Sequence, residues 1–124
     1  MSQPDPLYQD YILDLNRHPH NKQKLADFDV TRHETNPLCS DAIDLFIKFT
    51  KDDTVAFVGW TGEGCAVSTA ATSLLTDYMK GKTKAELKAM TKDKMLELLG
   101  LPNINPARLG CATLGLKALQ KTVQ

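Results

Sequence analysis

The chain has 124 residues, 42% of them hydrophobic and 24% charged, with 15 basic residues balancing 15 acidic ones. That length buries roughly two thirds of the surface an unfolded chain exposes, and the composition is that of a single globular domain over residues 1–124. A neutral balance argues against nucleic acid, whose binding needs a surplus of Lys and Arg, and no apolar run approaches the roughly 18 residues of a membrane span.

The start, Met1 to Pro6, has neither the basic nor the apolar region of a secretory signal, which predicts a cytoplasmic protein. Asp5-Pro6 has the form of an N-cap followed by proline at the first helical position. Tyr8, Tyr11, Ile12 and Leu15 then fall at helical spacing, predicting a helix over about Leu7 to Asn16. It stops before His18-Pro19-His20-Asn21, because the residue preceding proline is pushed out of the helical region. Val30 through Glu34 form a weak first strand, and Asn36-Pro37 begins a turn. Ala42 to Phe49, rich in Ile, Leu and Phe, suits a strand with one face well buried. A short turn at Lys51-Asp52-Asp53 leads to a third strand from Val55 to Trp60, antiparallel to its neighbour.

Helices fill the remainder. After Gly62-Glu63-Gly64 a long one runs from Cys65 to Met79, with Val67, Ala70, Ala71, Leu74, Leu75, Tyr78 and Met79 on its core stripe and Gly81 as the stop. Thr83-Lys84-Ala85-Glu86 fits a capping box, and Thr91 caps a further helix ending at Gly100. Leu101 to Asn105 is a loop. Asn105-Pro106 repeats the cap-plus-proline start, and a last helix runs to about Val123 on Leu109, Ala112, Leu116, Leu119 and Val123. The local basic excess between Lys80 and Lys94 has the look of a solvated helix face. Three antiparallel strands cannot close a barrel, so helices must cover one face of the sheet.

Three cysteines, an odd number, cannot all pair within the chain, which favours metal binding or thiol chemistry. Cys39 and Asp41, two residues apart at the mouth of a strand, point to the same side of it. Cys65 stands at one helix start and Cys111 within about a turn and a half of another, where unpaired N–H groups favour negative charge on sulfur. Gly62 and Gly64 let the backbone turn sharply into the helix, and Gly110 and Gly115 permit another backbone to come close to Cys111. Three thiolates with one carboxylate suit tetrahedral zinc, or an iron–sulfur cluster in which Asp41 replaces a thiolate. Oxygen holds iron less firmly than sulfur, so such a cluster is suited to leaving. Taken singly, each cysteine is better read as a buried inert thiol; the argument rests on the set.

Other candidates are weaker. His18, His20 and His33 lack ligand-like spacing and fit exposed positions. Ser68, Thr69, Thr72 and Ser73 have no His and acid placed to serve them, so they fit as small residues at a helix packing face. Arg108, three residues before Cys111, is equally a solvated charge or a contact for an anionic group.

Four segments in order carry a resemblance: Asn36-Pro37-Leu38-Cys39-Ser40-Asp41; Gly62-Glu63-Gly64-Cys65-Ala66-Val67-Ser68; Met79-Lys80-Gly81-Lys82-Thr83; and Ala107-Arg108-Leu109-Gly110-Cys111-Ala112-Thr113-Leu114. Together with Tyr11-Ile12-Leu13-Asp14 and Pro19-His20-Asn21, they resemble the U-type iron–sulfur scaffold family: IscU, SufU and the N-terminal domain of NifU. The resemblance implies an α+β fold of the SufE/NifU-like kind, a three-stranded antiparallel sheet packed with about five helices. It also implies that Cys39, Asp41, Cys65 and Cys111 hold zinc or a labile [2Fe-2S] cluster, and that sulfur comes from a cysteine desulfurase.

Two branches of that family meet in this sequence. Gly110 stands where the IscU pattern has histidine, Ile104-Asn105-Pro106-Ala107-Arg108 keeps little of the IscU chaperone motif, and Ser40 replaces the usual glycine. Gly-Glu-Gly-Cys is similar to SufU, yet the SufU insertion before the last helix is missing. The expectation is a non-enzymatic assembly scaffold or sulfur acceptor, monomeric or weakly self-associating, with a desulfurase and apo iron–sulfur proteins as partners and Arg108 as a docking contact. The alternative is a zinc-dependent sulfurtransferase that builds no cluster.

Overall fold

A computed structural model of the chain describes residues 6–37, 40–100 and 106–123. Among these residues the elements run α1 (Pro6–Arg17), β1 (Val30–Asn36), β2 (Asp41–Phe49), β3 (Val55–Glu63), α2 (Ala66–Met79), α3 (Lys84–Lys88), α4 (Lys92–Leu99) and α5 (Pro106–Thr122). The strands form one antiparallel sheet in the order β1-β2-β3, which is the expected α+β arrangement. No described helix is long and apolar enough to cross a membrane.

Side-chain alternation decides what the sheet buries. Ile43, Leu45 and Ile47 on β2 are at most 1% exposed and face the helices. Residues directly opposite in an antiparallel ladder share a face. The inner face therefore also takes Val30, Arg32, Glu34 and Asn36 from β1, and Val58, Trp60 and Gly62 from β3. Asn36 is paired with Asp41 at the end of the β1–β2 ladder, so both turn toward the helices.

Two strands are longer than their composition predicts. β1 continues past Glu34 because Thr35 and Asn36 pair with Ala42 and Asp41, and β3 continues past Trp60 because Thr61, Gly62 and Glu63 pair with Asp44, Ile43 and Ala42. Gly62 thus lies inside a strand and does not form part of the connector to α2.

Helix boundaries follow their caps closely. Thr83 and Glu86 form the reciprocal capping box, Thr91 accepts from the Lys94 N–H, and Gly100 closes α4 with φ of 67°. The predicted caps Asp5 and Asn105 and the loop from Leu101 lie outside the described residues. α2 is buried more completely than a single stripe allows: Ser68, Thr69, Thr72, Ser73 and Thr76 are buried beside Val67, Ala70, Ala71, Leu75 and Met79, whereas Leu74 and Tyr78 are half-buried. Its hydroxyls can be buried because they are bonded. Thr72 Oγ1 donates to the Ser68 carbonyl at 2.8 Å and Thr76 Oγ1 to the Thr72 carbonyl at 2.8 Å.

The connection between α1 and β1 ties sheet to helix. Trp60 donates its backbone N–H to the Asn21 carbonyl at 3.0 Å and its indole Nε1–H to the His20 carbonyl at 2.8 Å. At the far end of β3 the Val55 N–H donates to the Lys82 carbonyl at 2.9 Å, so this edge strand is covered at two points.

Candidate metal centre

Three elements bring their functional residues to one place. Asp41 opens β2 on the inner face and is only 3% exposed. Cys65 is the N-cap of α2, where its extended backbone (φ −72°, ψ 171°) turns the sulfur back over the helix start to accept the Ser68 N–H at 3.5 Å. Cys111 lies in the second turn of α5 and is buried, with Asn36 Nδ2 donating to its sulfur at 3.8 Å.

Asp41 and Cys65 are joined directly. The Cys65 backbone N–H donates to Asp41 Oδ1 at 3.1 Å, and the thiol donates to Oδ2 at 3.8 Å. Gly64 makes this approach feasible: a Cβ there would stand 2.8 Å from Ser68 Oγ and 3.3 Å from Asp41 Cγ. One ligand atom from each of Asp41, Cys65 and Cys111 lies within 4.8 Å of the others. Cys39, the remaining predicted ligand, lies outside the described residues. Arg108 is exposed in the first turn of α5.

The donor set fits a borderline metal. Tetrahedral zinc, with Zn–S of about 2.3 Å and Zn–O of about 2.1 Å, sets sulfur and oxygen roughly 3.6 Å apart. The Cys65 sulfur and Asp41 Oδ2 are 3.8 Å apart. Thiolate donors also select zinc or iron over calcium and magnesium, which take oxygen. The start of α2 supplies a positive dipole end and N–H groups that offset the charge of deprotonated donors.

Two details of the site differ from what the sequence leads one to expect. What approaches Gly110 and Gly115 is not backbone: a Cβ on Gly110 would lie 2.8 Å from Asn36 Nδ2, and one on Gly115 would lie 3.1 Å from a Leu75 methyl and 3.3 Å from Thr72 Oγ1. Asn36 itself was missed as a contributor to the site. Its signal was positional, an inward-facing polar residue at the end of β1 in register with Asp41. The histidines are exposed, as expected; His20 pairs with Asp77 at 2.6 Å and His33 with Asp44 at 2.9 Å.

A three-stranded sheet backed by helices, with two thiols and a carboxylate converging from β2, α2 and α5, defines a small α+β protein with a candidate sulfur-rich metal site. The family described as NifU-like N terminal domain matches residues 7–124, and the chain belongs to it. Among curated relatives, the iron-sulfur cluster assembly scaffold protein IscU 1 of Archaeoglobus fulgidus is 31% identical over 117 residues, 94% of this chain and 74% of that protein. The zinc-dependent sulfurtransferase SufU of Bacillus subtilis is 34% identical over 135 residues, 96% of this chain and 90% of that one. In the crystal structure of FiSufU from Fervidobacterium islandicum the same fold recurs, with a TM-score of 0.80 at 22% identity over 93% of this chain and 95% of that one.

Proposed function

We propose that this chain is an iron–sulfur cluster assembly protein, a single domain over residues 1–124. It takes sulfur from a cysteine desulfurase and holds a labile [2Fe-2S] cluster or zinc through Cys39, Asp41, Cys65 and Cys111. The observation that carries this reading is the convergence of Asp41, Cys65 and Cys111, residues far apart in sequence, to within 4.8 Å. The named activities of its relatives support it.

Sulfur acceptance is a thiol–persulfide exchange. A thiolate of this chain attacks the terminal sulfur of the desulfurase persulfide, a new S–S bond forms, the old one breaks, and its electron pair leaves with the desulfurase thiolate. No outside oxidant enters. A thiolate held by metal cannot attack, so metal binding and sulfur acceptance alternate or share the site by ligand exchange. Arg108, exposed beside the site's third cysteine, serves as a docking contact for the desulfurase. Free thiols need reducing surroundings, which the cytoplasm supplies, and apo iron–sulfur proteins are the recipients.

A zinc-dependent sulfurtransferase that builds no cluster is the second reading, favoured by the 34% identity to the Bacillus subtilis protein of that name. Anaerobic reconstitution with iron and sulfide separates the two. A scaffold develops the visible absorption of a [2Fe-2S] cluster, and a sulfurtransferase keeps zinc and stays colourless. Both readings expect the purified protein to carry metal and Cys65→Ala and Cys111→Ala to lose both metal and stimulation of desulfurase turnover. A metal-free protein whose variants still stimulate the desulfurase would refute both.

A further inference from the structure

We propose that Asn36 and Gly110 are a matched pair that positions Cys111: Gly110, lacking a side chain, leaves room for the Asn36 amide, which donates to the Cys111 sulfur and fixes its direction. The inference rests on the metal-site reading above and adds to it a positioning residue outside the ligand set.

Three observations converge on it. Asn36 ends β1 on the inner face and is 7% exposed, so its amide is held among α5 and β2 and kept from water. Its Nδ2 lies 3.8 Å from Cys111 Sγ in donor geometry. A Cβ on Gly110 would meet that same amide, at 2.8 Å from Nδ2, 3.5 Å from Cγ and 3.6 Å from Oδ1. The space over residue 110 and the bond to residue 111 therefore belong to one side chain. The atoms in the way are the end of a side chain and not backbone, so a residue at 110 can be accommodated by moving the amide. The cost of that movement falls on Cys111.

A sulfur that ligates a metal keeps lone pairs, and an N–H aimed at one of them restricts the rotamers the cysteine can take. Groups of this outer kind are worth about 10- to 100-fold in metal affinity. Asparagine supplies a donor here; aspartate, of the same shape, would turn an acceptor toward the sulfur beside the Asp41 carboxylate.

The test uses the full chain, with zinc affinity read by chelator competition and the cobalt(II) form read by its sulfur-to-metal charge-transfer bands. Asn36→Ala, Asn36→Asp and Gly110→Ala are each expected to weaken zinc by about tenfold and to alter the cobalt spectrum. Asn36→Ala/Gly110→Ala should be no weaker than Asn36→Ala alone, because the alanine at 110 then has no amide to displace. Melting of the metal-free proteins checks folding; should Gly110→Ala or Asn36→Asp not fold, Asn36→Ala decides the matter. Wild-type affinity and spectrum in Asn36→Ala, or a full additional loss from Gly110→Ala in that background, overturns the inference while leaving the metal site standing. Failure of the wild type to bind either metal overturns both.

Discussion

Gly62 shows how one residue can set the geometry of a site it does not enter. It lies in β3 opposite Ile43 with φ of +141°, a setting that L side chains rarely adopt, and a Cβ there would strike the Ala42 carbonyl oxygen. Backbone forms both obstacles, so no rotamer change relieves them. The strand it presses against opens at Asp41, and the chain beyond it reaches Cys65. Gly62→Ala is expected to cost roughly 3 kcal/mol of stability in urea denaturation, at the severe end for a single substitution. It should also weaken zinc binding, because it parts Asp41 from Cys65. Ser40 poses a milder case: its φ of 59° is left-handed, which costs a non-glycine residue about 1 kcal/mol. That strain sits immediately before Asp41.

Among the elements, α2 and the connection from α1 to β1 depend on each other. Asn21, with φ of 62°, donates through Nδ2 to Thr76 Oγ1 at 2.9 Å and to Asp77 Oδ1 at 2.8 Å, while its carbonyl receives Trp60. Burial raises the Asp77 carboxyl, but the bonds from His20 and Asn21 and the nearby Lys80 outweigh it and hold the group below its ordinary value. Asn21→Ala loses both the left-handed tolerance and the side-chain bonds, and about 2 kcal/mol of unfolding free energy should go with them. Asn21→Gly keeps the backbone freedom and should recover part of that loss; equal losses in the two variants would refute a backbone share. This connection was not legible in the sequence beyond its Pro19-His20-Asn21 turn, since nothing local says that a loop will bond to Trp60 and Thr76. Caps were legible, because a cap such as Thr83 with Glu86 is a local bargain between neighbouring residues. Strand ends were not, because Thr61 to Glu63 pair only through a partner strand. The convergence of Asp41, Cys65 and Cys111 was legible in the sequence, whereas Asn36 became visible only once β1 and α5 were side by side.

Across the whole molecule, β1 is held to α5 by polar contacts from two inward residues. Asn36 reaches Cys111, and Glu34, two residues earlier on the same face, takes Lys121 Nζ at 3.2 Å on Oε1 and 3.1 Å on Oε2, with Lys117 Nζ 3.5 Å from Oε1. Glu34 is 8% exposed, and its burial disfavours the charged form; Lys121, Lys117 and Arg32 outweigh that and hold its carboxyl below the ordinary glutamate value. A carboxyl lowered on folding stabilises the protein fully above its unfolded value, about 4.3, and loses that contribution as pH falls through the folded value beneath it. The lysines are half in water and can be resolvated, so Glu34→Gln should cost about 1–2 kcal/mol at neutral pH, well short of a fully buried ion pair. Asp77 and Glu86 are also held low, but they are common to both proteins and cancel in the difference. Denaturation of wild type and Glu34→Gln from pH 7 to pH 3 should therefore show a gap that is constant at the upper end and closes below about pH 4. A gap that persists undiminished in acid would mean that the difference does not come from the charge of Glu34. The same variant should bind zinc more weakly, since loosening β1 from α5 also loosens the hold of Asn36 on Cys111.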